Sequence, residues 1–159
     1  MNRSFASRLV RAWLLTAVID GSFSGILAQF FYGSTAKRLF QGVAAVLLGP
    51  DAVNGGTRTV LIGIAMHFGV ALAWSTVFLF IFTASARVRE IVGSRGGALK
   101  VAAIYGPFIW CVMSLALIPL LTHRPPAITY RWWIQFFGHI PFVALPIVSM
   151  IGSGQARQR

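Results

Sequence analysis

The sequence predicts an all-α fold, an integral membrane four-helix bundle with one additional short interfacial or re-entrant helix. One observation behind this prediction is the stretch from Thr59 to Ala84, which carries no formally charged residue and exceeds the ~20 apolar residues that a helix needs to cross a bilayer core. A second is composition, because hydrophobic residues make up 57% of the chain and charged residues only 11%, the reverse of a solvated globular surface. A third is size, since 159 residues cannot bury so long an apolar helix in a soluble core.

The remaining apolar runs predict a single transmembrane domain over residues 1–159. The predicted transmembrane helices cover about residues 12–31, 59–84, 98–121 and 132–151. A shorter apolar helix over about residues 35–48 follows Ser34 or Thr35, either of which can cap it, and ends before Gly49 and Pro50. Its ~14 residues cannot cross the bilayer core, so we expect it to lie in the interface or to re-enter the membrane.

The net charge is +11, from 14 Lys and Arg residues against 3 acidic residues. In a soluble protein this balance would indicate nucleic acid, but here the basic residues fall between the apolar runs, where they meet lipid headgroups. We therefore predict membrane lipids as partners, with anionic lipids at the basic loops, and no nucleic-acid partner.

Basic residues also predict the orientation of the four helices. Cytoplasmic loops of membrane proteins carry an excess of Lys and Arg. One side of the predicted bundle carries Arg3, Arg8, Arg11, Arg87, Arg89, Arg95, Lys100, Arg157 and Arg159, and the other carries Lys37, Arg38, Arg58, Arg124 and Arg131. The first side is richer in positive charge and holds both termini, which we expect to be cytoplasmic.

A carboxylate lies in the middle of the first predicted helix. Asp20 is some ~16 Å from the Phe31 end of that helix at ~1.5 Å per residue. A charge at this depth costs at least ~2.5–3.5 kcal/mol on insertion scales, so the side chain should face the bundle interior and have a partner. Two interpretations stay open: a proton or cation site, or a protonated carboxyl that ties two helices together by a hydrogen bond.

Small residues recur at helical spacing near the polar ones. The first helix carries Ala17, Gly21 and Gly25, and the two glycines form a GxxxG pair that lets another helix approach closely. Gly63 lies one turn before His67 on the second helix. These four residues are predicted to form helix-packing faces.

Two histidines lie at depths similar to that of Asp20. His67 and His139 are ~12 Å and ~10 Å from the same end of their predicted helices, and Asp20 lies some ~4–6 Å deeper, a difference that helix tilt can remove. We predict an intramembrane polar cluster of Asp20, His67, His139 and Tyr105. For each histidine, a single interhelical hydrogen bond is the alternative.

Prolines predict kinks in two of the helices. Pro107 should interrupt the third helix and free the carbonyl of Ala103, for which the Tyr105 hydroxyl is a candidate donor. Pro141 and Pro146 should kink the fourth helix.

Short motifs follow one another along the chain in a distinctive order: VIDGSFSG, KRLFQGVAAVLLG, NGG before MHFGVA, YG, IPL, and GH followed by LPI. In the order of these motifs the chain resembles the YagU-like uncharacterised bacterial inner-membrane proteins and their short four-helix relatives. The positions that match are Asp20, His67, Tyr105, Gly106, Pro119, His139 and Pro146. The resemblance implies a four-helix fold and a location in the bacterial inner membrane, and it implies no activity.

Three functions fit these features. The first is a non-catalytic accessory or structural subunit that packs with other membrane-protein subunits or with copies of itself. The second is a small oligomeric proton, ion or solute transporter that uses the Asp/His cluster. The third is a haem b protein with His67 and His139 as axial ligands. No nucleophile elbow occurs in the sequence, so we predict no catalytic residue, and no metal ligand apart from these two histidines if haem is bound.

Overall fold

The computed structural model of the protein describes residues 3–153, without the side chains of Arg3 and Ser4. Two of the residues in the predicted charge distribution, Arg157 and Arg159, lie outside the described part of the chain, as do both ends of the predicted domain at residues 1–159.

Four helical segments are long and apolar enough to cross a membrane, and residues 3–153 contain no strand. These segments, called spans 1 to 4 in chain order, are Phe5–Phe31, Gly56–Ala84, Gly97–Thr122 and Tyr130–Gly152. The prediction of an all-α fold with four transmembrane helices is confirmed, and the protein is a multi-pass membrane protein.

The spans are built from α-helices that are partly joined by π-helical stretches. Within the described residues the α-helices are α1 (Arg3–Ile26), α2 (Ala36–Leu48), α3 (Gly56–Ala84), α4 (Ala86–Gly93), α5 (Gly97–Cys111), α6 (Ile118–Thr122), α7 (Tyr130–His139) and α8 (Leu145–Gly152). The π-helical stretches are Leu27–Phe31 in span 1, Val112–Leu117 in span 3 and Ile140–Ala144 in span 4.

The first helix begins at Arg3, well before the predicted start near residue 12. Neither Gly nor Pro occurs in residues 3–11, so nothing in the local sequence stops the helix. Phe5 and Leu9 pack against the apolar core, and Arg8 donates a hydrogen bond to the carbonyl of Ile151 at 3.4 Å. Tertiary contacts of this kind extend a helix beyond its apolar run.

The short helix α2 packs across the start of α3 and against α1 and α6. At its first turn the hydroxyl of Thr35 accepts a hydrogen bond from the Arg38 N–H at 3.1 Å, and after its last turn Gly49 takes a φ of 85°. Its buried Gln41 donates from Nε2 to the carbonyl of Gly56 at 3.2 Å. A polar side chain thus fixes α2 to the first turn of span 2.

Span 4 is the most buried of the four spans and contacts α1, α3 and α5. Its enclosed Ile147 and Ile151 join Phe78 and Ile109 from spans 2 and 3 in the apolar core. Span 3 approaches its backbone very closely, since a Cβ atom at Gly106 would lie 2.6 Å from the carbonyl oxygen of His139. Only glycine fits at this contact.

The prolines of spans 3 and 4 accompany the changes from α to π geometry. α5 continues through Pro107, and π geometry begins five residues later at Val112. Pro141 lies in the π-helical stretch of span 4, and Pro146 lies in the first turn of α8. Proline removes a backbone donor, which is one cause of such departures from the α-helical ladder. The kinks themselves remain predictions.

The loop after span 2 contains α4, which the sequence analysis did not predict. Before its first turn the hydroxyl of Ser85 accepts from the Val88 N–H at 3.3 Å. Arg89 donates to the carbonyls of Phe82 at 3.0 Å and Thr83 at 2.7 Å. This basic side chain therefore satisfies the free carbonyls at the end of α3.

Candidate functional site

The ring of His67 bridges α3 and α1. Its Nε2 lies 2.9 Å from the carbonyl oxygen of Ala17, and its Nδ1 lies 3.9 Å from Oδ2 of Asp20. A carbonyl oxygen can only accept, so Nε2 carries a proton and donates it. The backbone of α1 thereby fixes the tautomer and leaves Nδ1 directed at the carboxyl group.

Asp20 lies in the interior of the bundle, where its two carboxyl oxygens have different surroundings. The side chain is 18% exposed and that of His67 is 15% exposed. Oδ2 faces His67, whereas the buried Oδ1 has no hydrogen-bond partner among the described residues. Buried polar atoms are normally paired, so an unpaired carboxyl oxygen marks this position for a function or for an ordered water.

His139 supplies a second imidazole from span 4, which packs against the first helix near Asp20, since a Cβ atom at Gly138 would lie 2.6 Å from the ring of Phe23. The residue is 8% exposed, and its Nδ1 donates to the carbonyl of Gln135 at 2.7 Å. Its ring packs at 4.8 Å from that of Trp110. The buried Nε1 of Trp110 has no hydrogen-bond partner in the described structure, so a free donor lies beside the second histidine.

The three groups lie at nearly the same depth. Asp20 is eleven residues from the Phe31 end of span 1, His67 is eleven residues from the start of span 2, and His139 is nine residues from the start of span 4. At ~1.5 Å per residue these positions are ~16, ~16 and ~14 Å from the same end of the bundle. The structure brings Asp20 and His67 together and places His139 close by.

Tyr105 bonds to the backbone of span 2. Its hydroxyl donates to the carbonyl of Trp74 at 2.7 Å, and not to that of Ala103 as proposed from the proline break. Its ring packs against Trp74 at 6.2 Å and Phe78 at 5.1 Å. The hydroxyl of Tyr105 thus ties span 3 to span 2, and no contact described in the structure joins its side chain to Asp20.

The small residues predicted to pack helices lie at the contacts that position His67. A Cβ atom at Gly21 would be 3.3 Å from Nε2 of His67, so the ring lies directly on the glycine. A Cβ atom at Gly25 would be 4.0 Å from the Cβ atom of Ala36 in α2. A Cβ atom at Gly63 would overlap the backbone carbonyl of Phe40, which makes glycine necessary where α2 crosses α3.

A groove of about 560 Å³ runs along the outside of the bundle between α1, α2 and α3. The small residues Ala17, Gly21 and Gly25 form its floor on α1, and His67 also lines it. The walls are apolar, and Phe30, 77% exposed, forms part of the rim. The groove was not predicted from the sequence, although the GxxxG pair indicated a close-approach surface.

Comparison of the chain with protein-family models, curated proteins and solved structures finds no match. The resemblance to the YagU-like proteins therefore remains a prediction. What the protein does is inferred from the geometry of its polar site and its groove.

His67 and His139 are the two residues predicted as axial ligands of a haem. No group of three or more His, Cys, Asp or Glu side chains in the described structure could hold a metal ion. Nε2 of His67 already donates to Ala17, and the ring of Phe40 packs edge-on against the imidazole at 5.9 Å. A haem iron bound to Nε2 of His67 would have to displace the bond to Ala17, and haem b binding remains a prediction.

Trp110 was not predicted from the sequence as part of the site. The tryptophan follows Gly106 by one helical turn and therefore shares its face of α5. Since Gly106 contacts the backbone of His139, its close approach carries Trp110 to the histidine ring. The one-turn spacing of Gly106 and Trp110 is visible in the sequence. It indicates a contact with the site only once the position of His139 is known.

Proposed function

We propose that the protein is a non-catalytic accessory or structural subunit that packs within a larger membrane assembly. The observation that carries this proposal is the groove between α1, α2 and α3. Gly21 and Gly25 on its floor leave room for another helix to approach, and in lipid helix association depends on such close packing. A surface of this kind recognises a partner without any chemical step.

The occupant that we infer is one uncharged, apolar transmembrane helix of a partner subunit. Apolar side chains such as Val18, Ile26 and Ile64 line the groove, so a charged segment would find no partner there. The ionisable group of the lining is His67, whose Nε2 is already bonded to Ala17. The groove is open on its outer side, as the docking of a continuous helix requires.

Photo-crosslinking from the groove tests this proposal in native membranes. In a Cys111→Ala background, Ser22→Cys places one thiol in the groove for a benzophenone maleimide. We expect an adduct with one defined polypeptide, whose crosslinked residues fall in an apolar transmembrane segment. The matched control is Ile104→Cys, because this residue of span 3 is 76% exposed and lies outside the groove.

A second pair of variants links the adduct to the shape of the groove. Gly25→Leu fills the floor and should abolish the adduct, whereas Gly69→Leu points into open space on α3 and should leave it unchanged. Equal labelling from Ser22 and Ile104, or an adduct that survives Gly25→Leu, contradicts the proposal. An adduct of twice the chain mass would show that the occupant is a second copy of this chain. The protein would then form a homo-oligomer through the groove and would not bind a different subunit there.

The second candidate function is a small oligomeric transporter of protons, ions or a solute. The observation that favours it is the approach of Asp20 to His67 at 3.9 Å near the bilayer centre, where ionisable residues mark transport pathways. Flux into proteoliposomes, abolished by Asp20→Asn and retained in Asp51→Asn, would support this function over a purely structural one. Absence of flux with correctly folded protein would eliminate it.

We further propose a location in the bacterial inner membrane, with both termini in the cytoplasm and anionic lipids at the basic loops. The distribution of basic residues supports this orientation. Its test is labelling of single cysteines by a membrane-impermeant reagent in intact cells. We expect labelling of a cysteine at His123 and none at Gly93, and the reverse pattern would invert the topology.

A further inference from the structure

Two backbone carbonyls fix the tautomers of both histidines. Ala17 accepts from Nε2 of His67 at 2.9 Å, and Gln135 accepts from Nδ1 of His139 at 2.7 Å. Each ring therefore keeps one proton on the bonded nitrogen and has one other nitrogen available, Nδ1 in His67 and Nε2 in His139. The carboxyl of Asp20 is the third group that can accept a proton here.

We propose that Asp20, His67 and His139 form a single proton-binding site inside the bundle, and that the site holds one exchangeable proton. This goes beyond packing in an assembly and holds whether or not the groove takes a partner helix. The site is built from spans 1, 2 and 4, so no isolated helix contains it.

Charge counting sets the number of protons. With no exchangeable proton, an ionised carboxylate and two neutral rings leave one buried negative charge. With one proton the site is neutral, either as a carboxylic acid with two neutral rings or as a carboxylate with one imidazolium. With two exchangeable protons the site carries one positive charge. A low-dielectric interior strongly disfavours a net charge, so the one-proton state is the stable one.

Within residues 5–153, no other charged group that would alter this count interacts with Asp20. His67 from α3 and His139 from α7 are the charged or titratable groups that interact with Asp20 in the described structure. α2 presents the ring of Phe40 to His67, and α5 presents Trp110 to His139. The proton is therefore distributed among these three side chains alone.

The geometry defines one step of proton exchange. The O–H bond on Oδ2 of Asp20 breaks, an N–H bond forms on Nδ1 of His67, and the pair changes from neutral acid and base to carboxylate and imidazolium. No electron is transferred and no other bond changes. The 3.9 Å separation exceeds a hydrogen bond, so a rotation of the Asp20 carboxyl or one bridging water must complete the path. The unpaired Oδ1 offers that water an acceptor.

Nitrogen-15 NMR of the full chain in lipid bilayers, with ¹⁵N-labelled histidine, tests the tautomers. We expect Nε2 of His67 and Nδ1 of His139 to stay protonated at every pH at which the fold is retained. The exposed loop residue His123, which lies outside the cluster, is the internal control for the histidine signals. A His67 ring with an unprotonated Nε2 would overturn the proposal.

Infrared spectroscopy of the same samples counts the exchangeable proton. We expect either a carboxylic-acid C=O band that is lost in Asp20→Asn and kept in Asp51→Asn, or no such band together with an imidazolium signal from His67 or His139. Both results correspond to one proton. An ionised Asp20 with two neutral rings, or a protonated Asp20 with an imidazolium, would overturn the proposal. The tautomers and any imidazolium signal are read from the unaltered protein, with the exposed His123 as control, so these readings stand even if Asp20→Asn fails to fold.

Discussion

The carbonyl oxygen of Ala17 accepts a hydrogen bond from Nε2 of His67 at 2.9 Å, across fifty residues of chain. Gly21, one turn further along α1, lies under the same ring, and a Cβ atom at this position would be only 3.3 Å from Nε2. The small residues of α1 therefore do more than let two helices approach. They expose the backbone of α1 to a polar side chain from α3 and decide which nitrogen of that side chain faces Asp20.

Gly21→Leu should displace the ring of His67. A side chain larger than hydrogen at this position must push the imidazole away from Ala17, and overpacking of this kind costs about 1–3 kcal/mol. We expect a lower midpoint of thermal unfolding in detergent for Gly21→Leu. The matched control is Gly69→Leu, which meets no atom within 4 Å. An equal effect of the two substitutions would show that Gly21 does not position the ring.

Gly63→Ala should separate α2 from α3. The added methyl group would overlap the backbone carbonyl of Phe40, and a backbone cannot rotate away as a side chain can. We expect destabilisation of about 1–3 kcal/mol or more, and faster proteolysis in the loops that flank α2. Gly42→Ala on the outer side of α2 has open space around it. It should be neutral or slightly stabilising, since alanine favours a helix over glycine.

The four spans and α2 follow from local properties of the sequence. An uncharged run such as residues 59–84 exceeds the bilayer thickness as a helix, so its secondary structure is predictable without knowledge of its neighbours. Thr35 and Gly49 mark the ends of α2 by capping chemistry that is equally local. The fold class could therefore be predicted from composition, run length and caps.

The contacts of the candidate site could not be predicted in the same way. Asp20 and His67 were expected near each other because ionisable groups in membranes seek partners. The acceptors that orient the rings, Ala17 and Gln135, are backbone carbonyls, and every residue has one, so no sequence signal distinguishes them. For the same reason the sequence indicated Ala103 as a candidate acceptor for the hydroxyl of Tyr105, which donates to Trp74 instead.

Tyr32, which follows the end of span 1, predicts a pH effect on stability. Burial first, and the neighbouring Tyr130 second, raise the pKa of Tyr32 above its ordinary value of 10.0, against the opposing effect of Arg131. The folded protein thus holds the phenol proton more tightly than the unfolded chain does. This contribution to stability is fully present below pH 10 and is lost as the pH rises through the folded-state pKa.

Tyr32→Phe should remove that part of the pH dependence. The Tyr32 hydroxyl is buried without a partner in the described structure, so its removal should cost little at neutral pH. The guanidinium of Arg131, which lies 4.5 Å from the centre of the Tyr32 ring, keeps its aromatic neighbour in this variant. We expect a smaller fall in the unfolding midpoint above pH 10 for Tyr32→Phe than for the unaltered protein. Identical profiles would contradict the prediction.

Asp20 and the two histidines should behave as one unit in a mutant cycle. Removing the carboxyl strands a polar ring in the interior, which costs about 1–3 kcal/mol, so Asp20→Leu alone should destabilise the bundle. The same substitution should cost much less when His67 and His139 are already leucine, and contacting groups typically give coupling energies of about 0.5–3 kcal/mol. Unfolding in detergent measures each corner of the cycle. A parallel cycle of Asp20→Leu with the exposed His123→Leu should be additive. Additivity in both cycles would show that the three groups do not interact, and the proton site would be excluded with them.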